Sequence, residues 1–427
     1  MPEWFHLQLG TDDLPDAFRG CPIHPSQQNA AVVAVWSPKG HTWMFGVMQG
    51  CPYGLGSVVV TFNRFPTLIT AAMRRMLGLM AAASFDDHLL VDFECSVRDA
   101  KGLLQLTFAD AGAPPKPAKA FPMQCNGSFL GAVVDVSDVC HDGSGDVYIS
   151  PKDASRRQVI VDIQHAVDSR QMSRAQAAKT RGRSGWVGSN TFGRLGRLGL
   201  AVLKQLQYQG DGSVSERQCA ILQLHQEVVR TIPPRVVSAT RPPAPPVLLY
   251  SDAEYQPGSG LQPRLGWVLI PGLGAQPIGQ TLLLPKKITN TWKPRVQQIF
   301  PAEAIALPIA TWSLGSHLRG RDIVWFIDNE AAASAGIRGS CDEPEVEIAV
   351  QVAHLLWLHL GCRVWIEWID SKSNPADGLS RDGLQDQWTR QQGWQLSQAA
   401  EPPWTEDVAK PDVLFQVLWD DIGPDEG

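Results

Sequence analysis

The chain has 427 residues, of which 44% are hydrophobic and 19% are charged, and its formal net charge is −6. This composition is typical of a globular protein of two to four domains and argues against a disordered or fibrous chain. No apolar run is long enough for a membrane span and no segment resembles a signal peptide, so we expect no membrane partner and an intracellular location, in either cytoplasm or nucleus. The eight cysteines show no CxxC pair and no zinc-type spacing, which predicts reduced, buried thiols.

The N-terminal third begins with two short motifs and a helix. Residues 9–18 (LGTDDLPDAF) carry Asp13 and an aromatic residue five positions later. Residues 51–57 (CPYGLGS) are rich in glycine, which lets a backbone approach another molecule closely. Apolar residues then recur at helical spacing between Phe65 and Met80, and this periodicity predicts a helix.

A predicted hairpin follows the helix. Residues 84–87 (SFDD) lie between two apolar runs, residues 79–83 and 89–93. A strand, a turn and a second strand would place the Asp-Asp pair at the tip of the hairpin. A plain solvated turn is the alternative interpretation of this dipeptide alone. Residues 127–131 (GSFLG) come after a loop rich in proline and alanine at residues 109–121.

The charges are unevenly distributed. Residues 382–427 contain ten acidic and two basic residues, a net of −8, so the rest of the chain carries +2. Residues 169–210 contain eight basic residues and no acidic one. Such a block suits contact with a phosphate backbone, with a solvated basic face as the alternative. Residues 240–246 (TRPPAPP) are predicted to form a stiff linker before the C-terminal half.

Two buried strands are predicted in the C-terminal half, over residues 247–250 and 323–327, and an aspartate follows each, Asp252 and Asp328. A carboxylate at the end of such a strand points out of the core, where it can hold a cation. Two divalent ions about 3.5–4 Å apart need several carboxylates from different elements to act on a phosphodiester. The sequence therefore predicts a metal centre in this half.

Two further acids occur in the order that such a centre needs. Glu303 lies in an alanine-rich helical stretch, and Asp377 lies just inside a last helix that Asn374 and Pro375 begin. The whole arrangement resembles the ribonuclease H domain of retroelement polyproteins over about residues 245–381, and NPADGLSR is similar to the final helix of that domain. Many members carry a histidine in the loop before the last aspartate. This chain has no histidine there, and Asp370 or Lys372 takes its place.

The resemblance implies a two-metal nuclease that cuts the RNA strand of an RNA–DNA hybrid. The implied catalytic residues and metal ligands are Asp252, Glu303, Asp328 and Asp377. The implied cofactor is Mg²⁺, two ions per active site, with Mn²⁺ as a substitute. One ion would activate water and the other would stabilise the leaving oxygen.

The N-terminal motifs resemble those of reverse transcriptases. Asp13 matches the first catalytic motif, with Phe18 as the steric gate that excludes a 2′-hydroxyl, and Gly54 lies in a loop like the one that approaches the template base pair. On this resemblance Asp13 and Asp86 hold the polymerase metal ions and Asp87 supports them, while Ser84 stands where the family usually has tyrosine. The segment GSFLG resembles the strand that grips the primer end.

Only twelve residues precede Asp13. We therefore expect the fingers region, which holds the incoming triphosphate, to be missing or supplied by a companion chain. Binding of deoxynucleotides is for this reason a weaker expectation than binding of primer-template or of an RNA–DNA hybrid. The residues expected to contact the nucleic-acid duplex are Lys179, Arg181, Arg183, Arg194 and Arg197.

The fold class that follows is α+β and α/β: a reverse-transcriptase palm and thumb, then a ribonuclease H-like mixed five-stranded sheet flanked by helices. The predicted domains are a palm (1–150), a basic thumb or connection (151–239), the linker (240–246), the ribonuclease H-like domain (247–381) and an acidic tail (382–427).

The predicted function is that of an RNA-directed DNA polymerase with a ribonuclease H domain, encoded by a retrotransposon or similar transposable element. One alternative is a decayed relic that only binds nucleic acid or a protein. The other is a different nuclease on the same fold, such as an integrase or exonuclease.

Overall fold

The computed structural model describes residues 6–14, 17–52, 56–115, 120–140, 144–190, 194–209, 211–239, 245–258, 260–272 and 274–406. It is a mixed α and β protein whose chain divides into two units. The first comprises Met1–Lys152 with Pro234–Arg241, and the second comprises Asp153–Pro233 with Pro242–Gly427. Gly54, most of the predicted linker and the end of the predicted acidic tail, from residue 407, lie outside the described residues.

The first unit is mainly β structure with two helices. Its elements are β1 (Leu7–Asp13), β2 (Val32–Ser37), β3 (Thr42–Val47), α1 (Gly56–Met76), β4 (Met80–Ser84), β5 (Asp87–Phe93), α2 (Val97–Asp110), β6 (Phe121–Gln124), β7 (Asn126–Phe129), β8 (Ala132–Asp135), β9 (Asp146–Pro151) and β10 (Arg235–Ser238).

Two four-stranded sheets organise this unit, with strand orders β4-β5-β1-β6 and β10-β9-β8-β7, while β2 and β3 form a separate hairpin. The predicted helix is confirmed as α1, which buries Phe62, Ile69 and Met73. Its predicted apolar face is only partly buried, since Leu68 is 69% exposed and Met76 is 80% exposed. The predicted Asp-Asp hairpin is present as β4 and β5, which pair antiparallel.

The second unit begins with four helices and continues as a sheet with further helices. Its elements are α3 (Asp153–Ser169), α4 (Arg174–Asn190), α5 (Arg197–Tyr208), α6 (Glu216–Thr231), β11 (Val247–Glu254), β12 (Arg264–Ile270), β13 (Ile278–Leu283), α7 (Lys286–Thr289), α8 (Ile299–Ser313), α9 (Gly315–Leu318), β14 (Asp322–Ile327), α10 (Glu330–Arg338), α11 (Pro344–His359), β15 (Arg363–Trp368), α12 (Asp377–Arg381), α13 (Gln387–Gln391) and β16 (Gln395–Gln398).

The sheet of the second unit has the order β15-β14-β11-β12-β13-β16. Strands β11, β12 and β13 form antiparallel pairs, while β14, β15 and β16 join in parallel, so the sheet is mixed and flanked by helices as predicted. It has six strands instead of five. The sixth, β16, comes from the stretch that the sequence assigned to an acidic tail, so part of that stretch completes the sheet.

The helices α3 to α6 share one hydrophobic core with this sheet. Val159, Leu203 and Leu222 from the helices belong to the same buried cluster as Leu249 and Trp325 from the strands. The domain bounds between residues 151 and 247 therefore stay a prediction.

All eight cysteines are free, but only Cys219 is buried and Cys95 is exposed, so the prediction of buried thiols is wrong for most of them. Cysteines are small enough to fill half-exposed positions, and sequence spacing carries no information on their burial. Among the described residues no helix is both long and apolar enough to cross a membrane.

Candidate metal centre

Asp252 in β11 and Asp328 directly after β14 belong to neighbouring parallel strands of the six-stranded sheet and the loop that follows one of them. Strand β11 continues to Glu254, so Asp252 lies within the strand and not after it as predicted, and its side chain is buried. Asp328 follows β14 directly, as predicted. The next residue, Asn329, caps α10 by accepting a hydrogen bond from the amide of Ala332 at 3.0 Å, which fixes the turn that presents Asp328.

Glu303 approaches the two aspartates from α8. It is only 2% exposed, and its Oε1 accepts a hydrogen bond of 2.9 Å from the backbone amide of Ala253 in β11. Its Oε2 is buried without a hydrogen-bond partner among the described residues. A buried carboxylate oxygen without a partner is costly when the group is ionised, and this atom is available to a cation.

One carboxylate oxygen each from Asp252, Glu303 and Asp328 lie within 4.8 Å of one another. We call these three residues the acidic cluster. They come from two strands and one helix, separated by 51 and 25 positions in sequence. Tertiary folding therefore brings together three of the four acids that the resemblance implied.

The fourth acid, Asp377, lies at the start of α12 beside the acidic cluster. Its Oδ1 forms an ion pair of 2.8 Å with Arg381, and its charge acts on both Asp252 and Asp328. The helix begins at Asp377, two residues after Pro375, so the proline is not its first residue as predicted. Asp377 is therefore near the acidic cluster, but its side chain pairs with Arg381.

Three contacts position α12 against the sheet. The side chain of Asn374 donates a hydrogen bond of 2.9 Å to the carbonyl of Ser251, and its Oδ1 accepts one of 3.1 Å from the amide of Ala376. Ser380 donates its hydroxyl hydrogen bond to Asp252. A Cβ on Gly266, the residue opposite Asp252 in the strand register, would lie 2.5 Å from the backbone nitrogen of Ser380, so glycine is required for this close approach.

The electrostatics of the acidic cluster disfavour three separate negative charges. The pKa of Asp252 is raised to about 7, first by burial and also by the charges of Asp328 and Asp377, while the hydrogen bond from Ser380 lowers it. Burial also raises the pKa of Glu303 well above its usual value, with the charges of Asp252 and Asp328 adding to the effect. Clustered carboxylates with raised pKa values are stabilised by a bound cation.

The donor set fits a hard divalent cation. All donors of the acidic cluster are carboxylate oxygens, which Mg²⁺ and Mn²⁺ prefer, and the cluster contains no sulfur or imidazole ligand. The unpartnered Glu303 Oε2 supplies a free donor atom. The identity of the metal stays a proposal.

The backbones of the aspartates predicted for a polymerase site lie next to one another in the first unit. Asp13 in β1 stands opposite Asp87 in β5 in the strand register, and the amide of Leu14 donates a hydrogen bond of 3.0 Å to the carbonyl of Asp86. The charges of Asp13 and Asp86 both act on the buried imidazole of His88. The end of β1 at Asp13 is therefore adjacent to the hairpin tip that carries Asp86 and Asp87.

A cavity of about 330 Å³ lies beside these residues. Its lining includes Asp13, Asp87, Lys152 and part of the segment GSFLG, namely Ser128 to Gly131. The backbone of Phe18 lies in a short 3-10 helix, but its side chain, like Gly54, is outside the described residues. Their predicted contacts with substrate remain predictions.

The predicted duplex-binding residues lie in α4, in α5 or between them, and their side chains have different surroundings. Arg181 and Arg197 line a large groove of the second unit, and the Arg181 guanidinium lies 5.4 Å from the centre of the Tyr208 ring. Arg183 instead forms an ion pair of 2.9 Å with Asp162. Lys179 and Arg194 are exposed.

Sequence reasoning missed the residues that position the acidic cluster. Ser380, Asn374, Gly266 and the amide of Ala253 act through tertiary contacts. For Ser380 and Asn374 a signal existed, because both lie in the NPADGLSR motif. Gly266 and Ala253 are ordinary strand residues with no local pattern to mark them.

The sequence matches no protein-family model and no curated protein. Two solved structures are similar to it, both described as the foamy viral protease-reverse transcriptase. One, in complex with double-stranded DNA, has a TM-score of 0.40 and 13% identity over 85% of this chain and 57% of its own. The other, with an RNA/DNA hybrid, has a TM-score of 0.38 and 10% identity over 88% of this chain and 67% of its own. This chain thus spans less than two thirds of the first structure's length, and function must be sought in the site itself.

Proposed function

We propose that the second unit is a ribonuclease H-type endonuclease, which cuts the RNA strand of RNA–DNA hybrids by two-metal catalysis. The observation that carries the proposal is the buried acidic cluster, whose three carboxylates meet within 4.8 Å. The order of these residues along the chain, with Asp377 later at the start of α12, is the order that the resemblance to retroelement ribonuclease H domains implies.

The residues have two kinds of role in this proposal: some hold the cations, and others orient the residues that do so. Asp252, Glu303, Asp328 and Asp377 hold the cations. Ser380 orients the carboxylate of Asp252, and the Ala253 amide orients that of Glu303. Divalent ions, when bound, would lower the pKa of an attacking water and stabilise charge on the leaving 3′-oxygen. Selection of a hybrid would rest on contacts with 2′-hydroxyl groups in the minor groove.

The release of Asp377 from Arg381 is part of this proposal. The two side chains form a 2.8 Å ion pair at the surface of α12. Such exposed pairs contribute at most about 1 kcal/mol, so a divalent cation competes with arginine for the carboxylate at little cost. Asp377 would then join the acidic cluster as a fourth ligand.

The test is a cleavage assay on an RNA–DNA hybrid labelled on the RNA strand, with Mg²⁺ and with EDTA. We expect Mg²⁺-dependent cutting of the RNA strand by the wild type and none by Asp328→Asn. The matched control is Asp322→Asn, since Asp322 lies on the same strand but pairs with Arg363 away from the acidic cluster. Hybrid binding without cleavage by the wild type would contradict the proposal and favour the decayed relic.

A second proposal, that the first unit is the palm of an RNA-directed DNA polymerase, rests on Asp13, Asp86 and Asp87. The supporting observation is that Asp13 stands opposite Asp87 in the strand register and that both line a cavity of about 330 Å³. In this role Asp13 and Asp86 would hold cations and Asp87 would support them.

A further inference from the structure

A groove of the second unit, with a volume of about 1190 Å³, lies between helices α4, α5 and α6 and the helices α10 and α11. We call it the α5–α10 groove. Five basic side chains line it: Arg181, Arg197, Lys204, Arg217 and Arg338. Two of these, Arg217 and Arg338, come from outside the basic block at residues 169–210 that the sequence predicted to contact a phosphate backbone. The groove is thus more basic than the sequence block alone indicates.

Two of these cations face the groove without a protein partner. The side chains of Arg197 and Lys204 form no hydrogen bond and no ion pair with any residue that the structure describes. Burial lowers the pKa of Arg197, and the nearby charge of Arg194 lowers it further. A half-buried guanidinium beside a second cation and without a carboxylate is stabilised by an anionic ligand.

Two segments connect the groove with the acidic cluster. Ala331, at the start of α10, lines the groove three residues after Asp328. Phe300 lines it one helical turn before Glu303 in α8. A ligand in the groove therefore lies next to the elements that carry two members of the acidic cluster.

The length of the groove indicates the size of its ligand. Glu330 and Arg338 both line it. They are eight positions apart in helix α10, which corresponds to a rise of about 12 Å along the helix axis. Phosphates along one strand of a duplex advance by about 3.4 Å each, so this length matches three to four of them. A single phosphate or a mononucleotide would reach only a fraction of the five cations.

Carboxylates also line the groove, and they limit its charge. Glu330, Asp342 and Glu347 offset three of the five cations if all are ionised. Burial raises the pKa of Glu347 to about 7, so this carboxyl is partly neutral near physiological pH. Arg197 and Lys204 lie on α5, whereas Glu330 lies on α10, Glu347 on α11 and Asp342 between these two helices.

We propose that the α5–α10 groove binds consecutive phosphates of the nucleic-acid strand that lies next to the acidic cluster. The occupant is a polynucleotide because several cations line the groove, because α10 borders it over about 12 Å, and because elements that carry two members of the acidic cluster also line it. This inference rests on the proposed nuclease function and adds the path of the substrate. Arg197 and Lys204 are its central contacts.

The test measures binding of a fluorescently labelled RNA–DNA hybrid to the full chain in EDTA, over a series of salt concentrations. The groove variant carries Arg197→Gln, Lys204→Gln and Arg338→Gln together. The matched control carries Arg157→Gln, Arg319→Gln and Arg390→Gln, three exposed residues of the same unit that do not line the groove. A charge-retaining variant, Arg197→Lys with Lys204→Arg and Arg338→Lys, reveals any folding defect.

Each lost phosphate contact should reduce the log–log salt slope by about 0.9, so the groove variant should lose about 2–3 units of slope. The control and the charge-retaining variant should keep the slope of the wild type. An unchanged slope in the groove variant, or an equal loss of slope in the control, would overturn the inference. Binding of a protein partner would then be the alternative role of the groove. Because EDTA prevents cleavage, this binding measurement tests only whether the groove binds nucleic acid. Whether the second unit is a nuclease is tested separately, by the cleavage assay.

Discussion

The backbone amide of Ala253 donates a 2.9 Å hydrogen bond to Oε1 of Glu303, whose Oε2 is left buried without a partner. The strand that carries Asp252 thereby also holds the glutamate in place, with one oxygen bound by the protein and the other without a partner among the described residues. A carboxylate fixed in this way loses little conformational freedom when it binds metal, which is the physical basis of a preorganised site.

Metal binding should stabilise the fold. Mg²⁺ relieves the repulsion within the acidic cluster, so the Tm should rise with Mg²⁺ concentration, by the equivalent of about 2.7 kcal/mol at a hundredfold excess over Kd. Asp328→Asn removes one of the like charges. Its Tm in EDTA should equal or exceed that of the wild type, and its rise with Mg²⁺ should be lost. Differential scanning calorimetry measures both, and an equal rise in wild type and variant would contradict this prediction.

Gly266→Ala should displace α12 from the sheet. The added Cβ would lie 2.5 Å from the nitrogen of Ser380 and 2.8 Å from the carbonyl of Ala376, both backbone atoms that cannot turn away. We expect a loss of about 1–3 kcal/mol in the free energy of unfolding, with a weaker response to Mg²⁺.

The matched control for this change is Gly182→Ala, in α4. A Cβ at Gly182 would meet nothing within 4 Å, so this change should be neutral or stabilising by up to about 1 kcal/mol. Urea unfolding of both variants gives the comparison. Equal stabilities for the two variants would mean that α12 does not need the close approach at Gly266.

Stability should depend on pH through Glu347. Its pKa in the folded chain is about 7, above the ordinary value of 4.5, because it is buried and lies near the charge of Asp342. Between these pH values the folded chain keeps a proton that the unfolded chain has lost. The free energy of unfolding should therefore fall as pH rises through this window, by on the order of 2–3 kcal/mol.

The comparison is with Glu347→Gln, which stays neutral at every pH. The difference in unfolding free energy between variant and wild type should grow from pH 4.5 to about 7 and then level off. Chemical unfolding at several pH values measures it. Parallel curves for the two proteins would show that the carboxyl of Glu347 is not perturbed.

Primer extension should be weak or absent. Among the described residues that line the cavity beside Asp13 and Asp87, Lys152 is the single cation. A triphosphate carries several negative charges, and metal ions alone do not bind it firmly without cationic side chains. Extension of a labelled primer on an RNA template tests this expectation. Robust synthesis by the wild type that Asp86→Asn abolishes would show that another part of the chain holds the triphosphate.

Local patterns predicted the elements that carry the acidic cluster. Buried strands ending near Asp252 and Asp328 follow from continuous apolar runs, and the helix at Glu303 follows from its alanine-rich composition. These elements are specified by residues adjacent in sequence, so a single sequence suffices to find them. The order of the acids then indicated the type of site.

Tertiary packing determined what the sequence did not reveal. Gly266 permits the approach of α12, yet a glycine within a strand looks the same whether its neighbour is solvent or a helix. Strand β16 is short and half-polar, because it adds to the edge of the sheet and buries little. The basic block likewise looked uniform in sequence, whereas folding pairs Arg183 with Asp162 and directs Arg197 into the α5–α10 groove.

The most direct test of the central claim is a crystal structure with Mn²⁺ bound and its anomalous difference map. We predict two peaks about 3.5–4 Å apart, bridged by the acidic cluster, with Glu303 Oε2 as a ligand and Asp377 turned from Arg381 toward the second ion. The account would be contradicted by a map in which these side chains are ordered but no peak lies between Asp252, Glu303 and Asp328. The Mn²⁺ concentration must be high enough for peaks to appear at other sites of the same crystal.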